Sequence, residues 1–494
     1  MLEFASFYLS LRPALNSFVW YDYETFGIHP AFDRPAQFAA VRTDENLNEI
    51  EPPLELYCKQ SEDYLPHPQA VLITGITPQE CQRKGVSEYE FIKAIQQLFS
   101  VPNTCVLGYN SIRFDDEVTR YTLYRNFFDP YAREWQNGNS RWDLLDVVRA
   151  TYALRPEGIN WPVHEDGRPS FKLEDLTRAN GIAHGHAHDA LSDVRATIAL
   201  ARLIKEKQPK LFNYFFNLRK KDAVGVLIDV ANFKPLVHVS GMIPAERGCM
   251  TVVAPLCWHP TNKNSVIVWD LQADPSELYA LSAQEIQARV FTKQELLPPS
   301  VSRLPLKEVH INKAPILAPF STLTEAQAAR FHIQGDVLRQ NLALLQQRGA
   351  LTAKLQQVFS GKEFAASSDV DGMLYAEFFP AQDKNRMEQI HLLSPEALAQ
   401  WTASFADGRG EEMLFRFRAR NFPETLHEGE VERWHEHCKA RLFHTDASKP
   451  WLSFTQFSNE LQKAAQGLQS SPEKLALLEE LQLYAESIYP YADY

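Results

Sequence analysis

FVWYDYETFG, residues 18–27, alternates aromatic and β-branched residues with two acids, and this run reads as a β-strand. On a strand, residues two apart point to the same face. Asp22 and Glu24 therefore project together from one face of a sheet. Like charges that close repel unless something neutralises them. A divalent cation is the usual remedy, and hard Mg²⁺ or Mn²⁺ suits oxygen ligands.

Working outward, a further acid lies in GYNSIRFDDEVTRYTL (108–123), where a strand (CVLGYN) gives way to a helix. Asp115 at a first helical turn also complements the helix dipole, and Asp116 leaves the choice open by one position. HAHDALSD (186–193) supplies His188 and Asp193, five apart. Five residues turn a helix through about 500°, so the two do not share a helical face. His188 is expected in the loop AHGHAH, and Asp193 on the helix that follows. His184 and His186 keep a plain histidine loop, or a zinc site, open as rivals. His435, His437 and Cys438 resemble a metal set, but on a helix 435 and 437 point apart, so a surface or core role is expected.

No P-loop, dinucleotide-binding glycine motif or nucleophile elbow is present. The chain has 494 residues and a net charge of −12. That charge argues against a general nucleic-acid coat, though local basic strips can still bind phosphates. No run approaches the roughly 20 apolar residues of a membrane-spanning helix. Residues 1–17 lack a basic start and a small-residue cleavage site, and are expected to form an extension before the first strand. Six scattered cysteines fit a reduced, cytoplasmic setting.

Texture divides the rest in three. Residues 18–208 read as an α/β domain, with strands FVWYDYE, QFAAVRT, LELYCK and TCVLGYN between helical stretches. Residues 209–360 carry short β-like runs (GVLIDV, PLVHVSGM, TVVAPLCWH, SVIVWDL, EVHINKAPIL) and a closing helical stretch, AQAARFHIQGDVLRQNLALLQQR. Residues 361–494 read as helical, from PEALAQWTASF to PEKLALLEELQLYAESI. The three parts are expected to pack together. Four carboxylates and one histidine in this order suit a two-metal centre that hydrolyses a phosphodiester, with histidine as the base.

The ordered set Asp-x-Glu, Asp, His-x₄-Asp resembles the DEDDh 3′→5′ exonucleases, which have a ribonuclease H-like fold. HPAFDRPAQFAA (29–40), LPHPQAVLITGITPQE (65–80), GYNSIRFDDEVTR (108–120), NSRWDLLDVVRATYALRPEGINWP (139–162), KPLVHVSGM (234–242), HINKAPIL (310–317) and RARNFPETL (418–426) resemble, more closely, the bacterial exodeoxyribonuclease I family. The resemblance covers the chain from about residue 18 onward. It implies an exonuclease domain, an SH3-like β domain and a helical C-terminal domain, the last two closing a channel around single-stranded DNA.

By that resemblance Asp22, Glu24, Asp115 and Asp193 hold two Mg²⁺ ions, with Mn²⁺ able to substitute, and His188 is the base. Thr25, Arg120, Tyr131, Trp135, Arg149 and Lys172 are expected to touch the strand. Lys172 stands where the family has arginine, which keeps the charge but gives up the bidentate fork. The resemblance also implies a partner: the acidic, phenylalanine-ended tail of single-stranded DNA-binding protein, near Arg155 and Tyr214. Helix capping by Arg155 and core packing by Tyr214 are the plain alternatives. A monomer acting in DNA repair and recombination is expected. An exoribonuclease with the same centre is an alternative, against which the roughly 290 residues beyond the catalytic domain and their motif matches weigh. An inactive single-strand clamp is another, against which the intact acid set weighs.

Overall fold

The computed structural model describes residues 16–185, 188–347, 351–361, 367–402, 404–466 and 471–489. The expected extension falls almost wholly outside these residues, and so does His186. The chain forms two compact units: Met1–Ser140 with Gly185–Arg195 and Ala365–Tyr494, and Arg141–His184 with Ala196–Phe364.

The first unit is built on strands β1 (Ser17–Thr25), β2 (Pro35–Thr43), β3 (Leu54–Tyr57) and β4 (Thr104–Gly108); with β5 (Ser140–Asp143), at whose first residue the unit boundary falls, the sheet order is β3-β2-β1-β4-β5. β1 pairs antiparallel with β2 and parallel with β4. Alternation divides its side chains. Val19, Tyr21 and Tyr23 enter a core with Phe38 and with Phe91, Ile92, Ile95 and Phe99. Those last four line one face of helix Glu88–Phe99, capped by Ser87. Asp22 and Glu24 therefore lie on the other face, towards the strand's C-terminal end. A bulge between Glu24 and Thr25 ends the regular pairing.

The C-terminal helices belong to this same unit. Helices Glu428–Leu442, Phe454–Gln466 and Pro472–Ser487 bring Leu442, Phe457, Leu481 and Tyr484 into one core with Phe26, Tyr64, Leu65 and Val71. Met387, Ile390, Met413 and Phe417 close on Tyr124 and Phe127 in another. The amino- and carboxyl-terminal parts are thus joined by shared cores.

The second unit holds an all-antiparallel sheet ordered β10-β6-β7-β8-β9, from β6 (Leu236–Val239), β7 (Met250–Trp258), β8 (Ser265–Asp270), β9 (Leu306–His310) and β10 (Ile316–Pro319). Several runs differ from their expected form. Only the first half of GVLIDV (225–230) is regular, closing helix Lys221–Leu227, and no strand forms there; six apolar-rich residues are too few for periodicity to decide. EVHINKAPIL is two strands, because Ala314 turns at φ 44° between them. AQAARFHIQGDVLRQNLALLQQR is two helices, Glu325–Arg330 and Gly335–Gln346, parted near His332 at φ 55°. Among the described residues of PEALAQWTASF, helix is confined to Pro395–Ala399. No helix among the described residues is long and apolar enough to cross a membrane.

Candidate metal centre

Asp22 and Glu24 reach the site from the end of β1. Asp115 opens helix Asp115–Arg125, delivered by β4 and a short turn. Asp193 lies in the first turn of helix Ala190–Lys207, and His188 in the loop before it, as expected. Ligand atoms of Glu24, His188 and Asp193 lie within 4.8 Å of one another. The His188 amide donates to Asp193 Oδ2 at 3.3 Å, with His188 in the left-handed region at φ 66°.

The choice between Asp115 and Asp116 follows from their neighbours. Asp116 Oδ1 accepts from Tyr21 Oη and from Arg133 Nη2, each at 2.7 Å, on the aromatic side of the sheet. Asp115 instead supplies the strongest charge acting on Asp22. Burial pushes the Asp22 carboxyl well up, and Asp115, Glu24, Asp193 and Asp189 push it further. Burial also pushes Glu24 up, to about 9, helped by Asp193, Asp115 and Asp189. All these neighbours are negative. Such a set of hard oxygen donors with one imidazole fits divalent ions, whose charge would reverse the repulsion.

Asp189 went unnoticed in the sequence, although an Asp immediately before a helix is an ordinary capping signal. Its Oδ2 accepts from the Ser192 amide at 3.1 Å. His184 is drawn elsewhere, its Nδ1 lying 3.2 Å from the Thr177 hydroxyl. His437 stacks on Trp434 and meets Asp63, His435 is exposed and Cys438 is buried, in line with the structural role expected for them.

The residues expected to touch DNA are spread over both units. In the first, Thr25 Oγ1 donates to the Gly27 carbonyl at 2.7 Å. Arg120 is held by Glu134 at 2.7 and 2.9 Å, by Glu117 at 2.7 Å and by the Tyr375 hydroxyl at 3.0 Å. Its guanidinium lies 5.3 Å from the Tyr131 ring centre. Tyr131 also meets Phe378, which is 78% exposed, while Trp135 is 66% exposed. Tyr375 and Phe378 come from the far end of the chain, so only folding reveals them beside Tyr131.

In the second unit, Arg149 pairs with Asp146 at 2.8 Å. A Cβ at Gly241 would come within 2.8 Å of the Arg149 guanidinium carbon, so a side chain there would displace the arginine head. Lys172 is exposed at the start of helix Leu173–Ala179. Arg155 follows helix Leu144–Leu154 and donates to the Leu154 carbonyl. Tyr214 is half-buried, and its hydroxyl donates to the Leu317 carbonyl at 3.3 Å.

Three family descriptions match the chain in succession: "Exonuclease" over residues 19–201, "Exonuclease I SH3-like domain" over 219–361 and "Exonuclease I C-terminal domain" over 368–488. Exodeoxyribonuclease I of Haemophilus influenzae is 51% identical over 470 residues, covering 95% of this chain and 98% of that one. The chain belongs to the exonuclease I family. Its architecture is accordingly an exonuclease domain, an SH3-like domain and a helical C-terminal domain, in that order. Among solved structures, Escherichia coli exonuclease I in complex with a dA16 oligonucleotide is similar, with a TM-score of 0.92 and 50% identity over 96% of this chain and 100% of that one. A zinc-bound form of the E. coli enzyme with single-stranded DNA gives a TM-score of 0.91 and 49% identity over 96% and 99%.

Proposed function

We propose that the protein degrades single-stranded DNA from the 3′ end and releases 5′-mononucleotides. The observation that carries this reading is the convergence of Glu24, His188 and Asp193 beside Asp22 and Asp115. Two divalent ions held by Asp22, Glu24, Asp115 and Asp193, Mg²⁺ with Mn²⁺ able to substitute, would activate the attacking water and stabilise the leaving oxygen. His188, exposed at the edge of the cluster, takes the water's proton. Thr25 lies one residue beyond Glu24, placed to meet the terminal nucleotide.

Tyr131, Trp135, Tyr375 and Phe378 offer aromatic faces on which unpaired bases stack. Arg120, Arg149 and Lys172 supply positive charge for the phosphates. Arg120 is already paired with Glu117 and Glu134, so it would orient that surface as much as neutralise a phosphate. Only unpaired bases are free to stack on those aromatic faces, which favours single strands. The division at residues 18–208, 209–360 and 361–494 is part of this reading, as are a monomeric state, a cytoplasmic location and a role in DNA repair and recombination.

Oligonucleotides labelled at either end test it. With Mg²⁺, single-stranded DNA should lose nucleotides from the 3′ end; equal cleavage of RNA or of blunt duplex would overturn the substrate assignment.

Arg155 and Tyr214 form part of the docking site for the acidic tail of single-stranded DNA-binding protein. Positive charge answers the tail's acids, and an apolar pocket takes its terminal phenylalanine. Calorimetry with a tail peptide decides: Arg155→Ala should weaken binding and slow digestion of coated DNA while sparing naked DNA. Unchanged affinity would remove Arg155 from the site.

A further inference from the structure

Gln37 lies on β2 directly opposite Glu24 in the antiparallel register. It is 1% exposed, so its amide must find partners inside the protein. Nε2 donates to Asp189 Oδ1 at 3.3 Å, and Oε1 accepts from the Ala190 amide at 3.3 Å. Together the two bonds clasp consecutive residues at the start of helix Ala190–Lys207. The amide cannot turn over, because Nε2 also faces Glu55 Oε1 at 3.0 Å and Tyr57 Oη at 3.1 Å. A flipped amide would set its oxygen against two carboxylates.

We propose that Gln37, acting through Asp189, is a positioning residue for the hydrolytic centre. Asp189 follows His188 directly, caps the helix through the Ser192 amide, and accepts the Asp193 amide on its carbonyl at 3.0 Å. Fixing Asp189 and Ala190 to β2 therefore fixes the residue before them and the acid one turn after them, against the strand that neighbours Glu24. It also accounts for His188 holding a left-handed backbone, which a non-glycine residue keeps only where its surroundings impose it. The inference rests on the reading of His188 as base and Asp193 as ligand.

A double-mutant cycle in kcat tests the clasp. Gln37→Met keeps the volume and every charge but cannot bond. Asp189→Ser keeps a capping hydroxyl but is too short to reach Gln37. Each should lower kcat about 10- to 100-fold, as displaced supporting groups do. KM for a single-stranded oligonucleotide should stay within about twofold, since binding energy is untouched. The double variant should be no slower than the slower single, because one clasp can be broken only once. An intact kcat in either single, or a double whose loss is the product of the two, overturns the proposal; the product is also what a purely electrostatic role of Asp189 would give. If Gln37→Met does not fold, Asp189→Ser is compared with Asp189→Asn, which loses the same charge but keeps an oxygen for Gln37: a kcat lower in Asp189→Ser than in Asp189→Asn supports the clasp, and equal values refute it. His188→Ala is assayed beside them. An unchanged rate in that variant defeats the reading of the base, whereas a lost rate there beside an intact Gln37→Met defeats only the clasp.

Discussion

Asp63 and Asp371 are 0% and 2% exposed, and Glu24 is 8% exposed, all within one unit, yet their surroundings are opposite. Arg420 Nη2 lies 2.7 Å from Asp63 and 2.6 Å from Asp371. Arg34, Arg416 and Arg441 close on the same pair. Burial alone would raise these carboxyls, but Arg420 foremost holds both well below the ordinary range. Around Asp22 and Glu24 the acting charges are all carboxylates, and both groups are pushed up. The first cluster carries its own cations in the sequence. The second is arranged to receive them from solution, which is how a structural acid set is told from a metal centre.

The contrast is broken most completely at the metal centre. Asp22→Ala or Asp193→Ala should abolish turnover while the metal-free protein melts no earlier than wild type, because a repelling charge has gone. Substantial Mg²⁺-dependent activity in either variant would sink the ligand assignment. His188→Ala should slow hydrolysis by roughly 10²–10⁴ and leave DNA binding nearly intact, with partial recovery as pH rises. Stopped-time assays at saturating DNA, with binding followed by fluorescence, separate the two effects.

In the paired cluster the loss should fall on stability instead. Asp371→Ala strands arginines that are already buried and should cost about 3–5 kcal/mol in chemical denaturation, with the hydrolytic step changed far less. A loss under about 1 kcal/mol, the size of a surface pair, would mean that solvent already screens the network.

The two clusters should also answer pH with opposite signs. Glu88, where burial is outweighed by Arg125 and Arg34, is held down to about 2. Its folded value lies below its unfolded one, so its stabilisation is present above about 4.5 and lost as pH falls towards 2. Glu24, raised to about 9 without metal, contributes below about 4.5 and loses that contribution as pH rises towards 9. Melting temperatures of the metal-free protein should therefore decline on both sides. Mg²⁺ or Glu24→Gln should lift only the alkaline side, and a lift on the acid side would contradict this division. The smallest change is expected at the DNA surface, where Trp135→Ala should weaken single-strand binding by roughly 1–3 kcal/mol. Unchanged affinity would remove Trp135 from that surface.

The positions of the candidate acids and of His188 were legible because each sits in a short local pattern: alternation on β1, a helix start at Asp115, a loop-to-helix step at His188 and Asp193. Gln37 was not legible, since its role comes from strand register and from a loop 152 residues away. The arginine network was invisible for the same reason, and Asp116 was separable from Asp115 only once Tyr21 and Arg133 were seen to hold it. GVLIDV misled because a run of six apolar-rich residues carries too little periodicity to tell a helix end from a short strand.

The bond from Arg34 to Asp371 spans 337 residues of chain, and that from Arg420 to Asp63 spans 357. A ribosome delivers the strand bearing Asp22 and Glu24 long before it delivers Asp371 or Arg420. Until then Arg34 has Glu88 but not Asp371, and the cores around Phe26 and Phe127 lack their C-terminal halves. Long-range closure is also the slow part of folding. The unit that carries the acid set therefore completes its cores late, after translation has passed its final helices.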